Sequence, residues 1–104
     1  MSDVFHAVAD PTRRLILASL REEGPLTVSA LSAPLPMSRQ AVTKHLDILE
    51  AAGLVGRATR GRERVHHLRP EPLREVEGWL EPYAAAWDER LERLRIHVDG
   101  EEDE

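Results

Sequence analysis

The sequence predicts a mainly α-helical domain with a small β-hairpin (α+β), arranged as a winged helix-turn-helix, and it predicts that this domain is dimeric. Three observations support the prediction. An amphipathic helix follows Ser38, an arginine-rich hairpin follows that helix directly, and the last helix carries a long apolar seam. A helix with a polar outer face beside a charged hairpin is typical of domains that place one helix in the major groove of DNA.

Three helices are expected before Ser38. The first, over residues 3–9, is expected to pack through three apolar side chains, Val4, Phe5 and Val8. The second begins at Asp10-Pro11, an N-cap followed by proline at the first helical position, and ends at Gly24-Pro25. Its expected core side consists of Leu15, Ile16, Leu17, Ala18 and Leu20. Leu26 is expected in the core, and the third helix, capped by Thr27, stops at Pro34.

The helix after Ser38 has two different halves on its outer face. Its inner face is apolar through Val42, Leu46 and Leu49. The first half of the outer face carries side chains that hydrogen-bond base edges and phosphates, namely Arg39, Gln40, Thr43 and Lys44. The second half carries Asp47 and Glu50, so only the N-terminal half is compatible with DNA. Taken alone, this segment is equally compatible with an ordinary amphipathic surface helix.

Two short strands, LVGRATR and ERVHHLR, are predicted between Leu54 and Arg69. Gly61 is expected to supply the positive φ of a tight turn between them. Five arginines lie on this hairpin: Arg57, Arg60, Arg62, Arg64 and Arg69. The cationic charge is therefore concentrated at the hairpin and the helix before it.

The net charge of −5 is unevenly distributed along the chain. Residues 1–37 carry −1, residues 38–69 carry +4 and residues 70–104 carry −8. Because charges are screened over about 8 Å at physiological salt, DNA would respond to the nearby cationic segment and not to the net charge of the whole protein.

The last helix is expected to open at Pro72, to bend at Pro82 and to reach about Val98. Its apolar positions follow a spacing close to a heptad seam, which predicts a dimer interface. The predicted interface residues are Val76, Trp79, Leu80, Tyr83, Trp87, Leu91 and Leu94, completed by Val4, Phe5 and Val8 of the first helix. The alternative is that this helix covers the core of a monomer. Residues 1–98 would form one DNA-binding and dimerisation domain, and residues 99–104 an acidic disordered tail.

Composition excludes several classes of protein. The chain of 104 residues has no cysteine, so it has neither disulfides nor thiolate metal sites. No apolar run approaches the roughly 20 residues of a membrane span, which predicts a cytoplasmic protein. There is no Gly-rich phosphate loop, no H-E-x-x-H motif and no nucleophile-histidine pattern, so neither an enzyme nor a cofactor is expected.

Nearly the whole chain resembles the ArsR family of bacterial winged-helix regulators. The resemblance rests on DVFHAVADPTRRLILASL, LTVSALSAPLPMSRQAVTKHLDILEAAGLV and RGRERVHHLRPEPLREVEGWLEPYAAAWDERLERL. It implies a homodimeric repressor that binds a palindromic double-stranded DNA operator and that often responds to an effector. For this chain, a constitutive repressor and one released by an unknown small molecule are both compatible with the sequence. It also implies that Ser38, Arg39, Gln40, Thr43, Lys44 and His45 are recognition-helix positions, with the turn from Arg60 to Arg64 as the wing.

The chain departs from the metal-sensing members of this family. Where those members carry cysteines before the recognition helix, this chain reads SALSAP, and its last helix offers only His97, near Asp88 and Glu92. His66 and His67 are expected on opposite faces of a strand, so they could not chelate one ion together. A metal site is therefore not expected.

Individual roles follow from side-chain chemistry. Gln40 is the only glutamine in a chain without asparagine, so it alone could make the bidentate amide contact to adenine. Arg39 suits guanine or a phosphate, Thr43 a thymine methyl and Lys44 a phosphate, while His45 suits either a base contact or internal packing. The wing arginines, Arg60, Arg62 and Arg64, would contact the DNA backbone or minor groove, or else remain solvated or pair with Glu63. The competing function is a winged-helix adaptor that binds protein and not DNA.

Overall fold

The computed structural model describes the backbone of residues 4–102 and the side chains of residues 4–95. Within that range it contains five helices and one hairpin: α1 (Val4–Val8), α2 (Pro11–Glu23), α3 (Val28–Ser32), α4 (Arg39–Ala51), β1 (Val55–Arg60), β2 (Glu63–Leu68) and α5 (Leu73–Glu102). The chain forms two compact units, one ending at Arg74 and one beginning at Glu75. The predicted mainly helical fold with a two-stranded wing is confirmed.

Three of the helices begin at the predicted N-caps. The side chains of Asp10, Thr27 and Ser38 accept hydrogen bonds from the backbone amides three residues further on, at 3.0, 3.1 and 3.1 Å respectively. Each cap satisfies an amide that has no partner within its helix, and such a cap stabilises a helix by about 1 kcal/mol. Helices α2, α3 and α4 are therefore fixed at their starts by local sequence.

The core of the first unit is formed by α1, α2, α3, α4 and the hairpin. Its buried apolar side chains are Val4, Ala7, Ile16, Leu17, Leu20, Leu31, Val42, Leu46, Leu49, Leu54, Val55 and Val65. The inner face predicted for α4 is confirmed by the burial of Val42, Leu46 and Leu49. Two polar side chains, Arg13 and His66, are buried with them among the described residues.

Two expectations about apolar packing were wrong. Leu15 is 56% exposed, because at 3.6 residues per turn it lies opposite the buried side of α2 formed by Ile16, Leu17 and Leu20. In α1 the buried residues are Val4 and Ala7, whereas Phe5 is exposed. Val4 therefore packs in the core of the single chain, where it is 2% exposed.

The hairpin is an antiparallel pair in which Val55 lies opposite Leu68 and Arg60 opposite Glu63. Gly61 has φ of +64°, as predicted, while no described non-glycine residue has positive φ. Positive φ at the first position alone of the two-residue turn Gly61-Arg62 matches a type II′ turn. Leu26, expected only as a core residue, is half-buried and forms an isolated β-bridge to the hairpin, because its backbone exchanges hydrogen bonds of 3.0 and 2.8 Å with His66.

Helix α5 continues through Pro82 and ends at Glu102, beyond the predicted end near Val98. Gly100 weakens this segment without stopping it, since a single glycine costs only about 1 kcal/mol relative to alanine. Of the predicted acidic tail, residues 103 and 104 lie outside the described part of the chain, as does the side chain of His97. No helix among the described residues combines the length and the apolar character needed to cross a membrane.

A row of large apolar side chains on α5 is exposed within the single chain: Trp79, Tyr83, Trp87, Leu91 and Leu94. The rings of Trp79 and Tyr83 contact each other, with centroids 5.3 Å apart and planes tilted by 45°. Val76 and Leu80, also predicted in the seam, are half-buried. The seam predicted from the heptad spacing is thus largely solvent-facing in one chain.

Candidate nucleic-acid interface

The N-terminal half of α4 presents a polar surface. Arg39, Gln40, Thr43 and Lys44 are all exposed, while Val42 on the other side is completely buried. Ser38 is exposed as well, but its hydroxyl oxygen is engaged as the N-cap acceptor for the amide of Ala41. The burial of the apolar stripe therefore fixes which side chains of α4 face outward.

Two of these outward residues are committed to protein contacts. The guanidinium of Arg39 donates a hydrogen bond to the hydroxyl of Ser29 on α3, which links the two helices of the helix-turn-helix. The Thr43 hydroxyl donates to the carbonyl of Arg39 at 2.9 Å. Within the described part of the chain, Gln40 and Lys44 make no side-chain hydrogen bond or ion pair. Their polar ends are therefore available to an external ligand.

His45 lies differently from the other candidate residues of α4. Its side chain is only 22% exposed, and its Nδ1 lies 3.2 Å from Nη1 of Arg13 and 3.9 Å from Oδ2 of Asp10. Both neighbours belong to α2 and its N-cap. Of the two roles considered from sequence, these contacts favour internal packing over a base contact.

Arg13 is a buried hydrogen-bonding residue that the sequence reasoning missed. It is 7% exposed, and its Nε and Nη2 donate to the carbonyls of Ala7 and His6 at 2.7 and 3.0 Å. Both carbonyls lie in the last turn of α1, where a helix leaves carbonyls without a partner of its own, although that of His6 also accepts from the amide of Ala9 at 3.2 Å. The available signal was positional: Arg13 precedes Ile16 and Leu17 by three and four residues, so it lies on the core side of α2.

The acidic half of α4 is paired with the base of the hairpin. Nε of Arg57 donates to Oε2 of Glu50 at 2.8 Å, and its Nη2 lies 3.9 Å from Oδ1 of Asp47. The hydrogen bond that Arg57 donates to Glu50, together with the negative charge of that carboxylate, raises the pKa of the Arg57 guanidinium. Arg57 is therefore engaged in neutralising two carboxylates.

The wing carries cationic side chains without such partners. Arg60, Arg62 and Arg64 are exposed, and none of them forms an ion pair or hydrogen bond with a described residue, Glu63 included. Because side chains alternate along a strand, Arg64 shares the face of Arg57, whereas Arg60 lies on the other face. The wing thus presents charge on both faces and at its tip.

The two histidines of β2 lie on opposite faces, as predicted. His66 is opposite Arg57 and is buried, and its Nδ1 has no hydrogen-bond partner among the described residues. Burial, reinforced by the charge of Arg57, lowers the pKa of His66. His67 packs its ring against Gly56, where a Cβ would lie only 2.5 Å from Nε2. Across the part of the chain that the structure describes, no group of three or more His, Asp or Glu side chains is arranged to hold a metal ion.

The charge distribution becomes clearer in three dimensions. Residues 38–69 contain seven cationic side chains and three carboxylates. Two of those carboxylates, Asp47 and Glu50, face Arg57. The remaining cationic groups at the wing tip and at the start of α4 are therefore opposed within this segment only by Glu63, which suits a polyanionic ligand.

Comparison with known proteins gives consistent matches. A helix-turn-helix domain model matches residues 8–56, which include α2, α3 and α4. The HTH-type transcriptional regulator Rv2034 of Mycobacterium tuberculosis is 37% identical over 100 residues, which cover 96% of this chain and 90% of that protein. The transcriptional repressor SdpR of Bacillus subtilis is 30% identical over 80 residues, covering 77% and 88% of the two chains. The crystal structure of an ArsR family transcriptional regulator matches with a TM-score of 0.70 at 38% identity, covering 83% of this chain and 93% of that one.

Proposed function

This chain belongs to the ArsR family of helix-turn-helix transcriptional regulators, and on that premise we propose that it is a homodimeric repressor that binds an inverted-repeat operator through α4 and the wing. The family is one of DNA-binding regulators and not of enzymes. One observation carries the proposal: the exposed, uncommitted ends of Gln40 and Lys44 lie on the helix that leads directly into a hairpin with uncommitted arginines. A bacterial transcriptional regulator binds chromosomal DNA, so its expected location is the cytoplasm.

In the proposed complex, the N-terminal half of α4 enters the major groove. Gln40 makes the bidentate amide contact to adenine, and Lys44 binds a phosphate. The Thr43 hydroxyl already donates to the carbonyl of Arg39, so Thr43 contacts DNA through its methyl group, which packs against the methyl group of a thymine. The Arg39 guanidinium gives up its hydrogen bond to Ser29 and donates to a guanine or a phosphate instead.

The wing completes the proposed interface. Arg60, Arg62 and Arg64 contact the phosphate backbone or enter the adjacent minor groove, where a narrow groove attracts arginine. Their lack of partners among the described residues supports this role, because no ion pair has to be broken for them to bind phosphate. The paired carboxylates at the end of α4 would lie away from the DNA.

Homodimerisation is proposed through α5. Trp87, Leu91 and Leu94 are each more than half exposed in the single chain, and exposed apolar rows of this extent usually mark interfaces. Two subunits would place their α4 helices about 34–36 Å apart, which matches half-sites one helical turn apart on the same face of DNA. The relative named as a transcriptional repressor supports repression as the outcome.

The proposal is tested by selecting fragments from sheared genomic DNA of the host with the purified protein, followed by footprinting of the recovered sequences. We expect two protected half-sites, related as an inverted repeat and separated by one helical turn. Light scattering at micromolar concentration should give the mass of two chains. Failure to retain any fragment at low salt, or a monomer that binds a single half-site, would contradict the proposal.

A further inference from the structure

We propose that Arg13 and His45 form a positioning pair, in which the buried guanidinium holds the neutral histidine ring and thereby sets how α4 is presented to DNA. This inference rests on the proposed role of α4 in reading DNA. Arg13 is 7% exposed and so cannot itself contact DNA. Its influence would act through His45, which lies immediately after Lys44 on the half of α4 that carries the exposed polar residues.

Two hydrogen bonds to the backbone of α1 fix the orientation of the Arg13 guanidinium. Its Nε and Nη2 donate to the carbonyls of Ala7 and His6, at 2.7 and 3.0 Å. A guanidinium is planar and its N–H groups have fixed directions. Two bonds to the backbone of α1 therefore determine where the remaining Nη1 points, and it points to Nδ1 of His45 at 3.2 Å.

This contact defines the chemical state of His45. Arginine can only donate hydrogen bonds and remains protonated, so Nδ1 must be the acceptor and must carry no proton. The ring is then neutral, with its proton on Nε2. This hydrogen bond joins α4 to an arginine of α2 that is itself bound to α1, so a rotation or shift of α4 relative to α2 would break it.

Protonation of His45 would replace this contact by another. A protonated Nδ1 would bring a second cation against Arg13, whereas Oδ2 of Asp10, 3.9 Å away, would attract it. Asp10 is already the N-cap of α2 through the amide of Arg13 at 3.0 Å. The neutral and cationic forms of His45 thus favour different partners, Arg13 for the neutral ring and Asp10 for the cation.

Among the described residues, the ring of His45 has no polar contact beyond those with Arg13 and Asp10. On α1 the side chain of His6 is exposed and its carbonyl is bound by Arg13, and α3 has no titratable side chain. Arg57 of β1 is engaged by Glu50 and Asp47. On α4 itself, Lys44 is directed to solvent.

The test compares two substitutions of His45 in the full chain. His45→Asn keeps an acceptor near the position of Nδ1 and cannot be protonated, whereas His45→Leu removes the acceptor. The probes are the highest-affinity duplex recovered from a randomised pool and a scrambled duplex of the same composition. We expect His45→Leu to weaken binding to the selected duplex about tenfold, with the scrambled duplex unchanged. His45→Asn should stay within about threefold of the wild type for both.

Rescue by the conservative variant separates positioning from a general structural role. Equal losses of discrimination in His45→Leu and His45→Asn would overturn the proposal.

A double-mutant cycle and a charge control complete the test. Arg13→Lys keeps the cation but not the planar fork, so its effect on discrimination should be strongly non-additive with that of His45→Leu. Additive effects would overturn the pair. Lys44→Ala should weaken both duplexes alike; if it changes neither, the role of α4 fails and this inference with it. If Lys44→Ala weakens both while His45→Leu changes neither, only the positioning pair is overturned.

Discussion

Nε of Arg57 donates a hydrogen bond to Oε2 of Glu50 across 2.8 Å, joining the first strand of the wing to the C-terminal half of α4. The same guanidinium lies 3.9 Å from Oδ1 of Asp47. These are the two carboxylates that would repel DNA if α4 were an isolated helix. The hairpin therefore serves the proposed interface in two ways: its tip presents cations that have no ion-pair partner among the described residues, and its base neutralises the acidic end of α4.

Arg57→Ala should lower DNA affinity without removing a DNA contact. The change leaves the charges of Asp47 and Glu50 uncompensated, so the loss should be larger at low salt and smaller at high salt, where exposed charges are screened. Affinity for the selected duplex measured at several salt concentrations checks this. Adding Glu50→Gln to Arg57→Ala should recover part of the loss, and no recovery would contradict the assignment.

Gln40→Ala should weaken binding at one operator base pair by about 1–3 kcal/mol and change the others little, because an amide contacts a single adenine edge. Binding to a set of operators with every single base-pair change would reveal the position. Lys44→Ala is the matched control, since a lost phosphate contact weakens all sequences alike. A uniform loss in Gln40→Ala would show that Gln40 contacts the backbone instead.

Arg62→Ala should reduce affinity for all duplexes and make binding less dependent on salt. Each lost phosphate contact lowers the slope of log K against log salt by about 0.9, since fewer counterions are released. Arg62 is suited to this test because it lies in the exposed turn and has no partner among the described residues whose loss would confuse the result. An unchanged slope would show that Arg62, at the tip of the wing, makes no phosphate contact.

Local interactions explain why much of the fold could be predicted from the sequence. The caps Asp10, Thr27 and Ser38 bind amides three residues away, so their effect is encoded in short segments. The turn at Gly61 is also local, because it depends on the φ of one glycine. Likewise, the outward face of α4 follows from the period of its apolar residues.

Contacts between distant segments could not be predicted in the same way. Arg13 and His45 are 32 positions apart, and the contact of Leu26 with His66 joins backbones 40 positions apart. Leu15 was wrongly assigned to the core because residues 15–18 span more than three-quarters of a helical turn and cannot all face one side. The sequence left a base contact and internal packing open for His45, and it is the contact with Arg13 on α2 that favours internal packing.

Stability should fall as the pH is lowered, because of His66. Burial lowers the pKa of His66 in the folded state below the ordinary value of about 6.5. In the pH window between these two pKa values, the unfolded chain therefore binds more protons than the folded chain. The free energy of unfolding therefore rises with pH through the window. The stabilisation is fully present above about pH 6.5 and is lost as the pH falls through the folded-state pKa.

Urea unfolding of the wild type and of His66→Leu at several pH values tests this assignment. His66→Leu should show a weaker dependence on pH, and it keeps the backbone hydrogen bonds with Leu26. His6→Asn, at an exposed position, is the control and should behave like the wild type. A His66→Leu protein with the wild-type pH dependence would show that another group is responsible.

Leu91→Glu should convert the protein to monomers and reduce binding to a two-half-site operator far more than binding to a single half-site. Leu91 is 64% exposed in the single chain, and a carboxylate buried in an apolar dimer interface would be strongly unfavourable. Ala85→Glu adds the same charge to an exposed position on the side of α5 opposite the seam, so it should remain dimeric. Light scattering and binding to both operators check these outcomes. A dimeric Leu91→Glu protein would place the interface elsewhere.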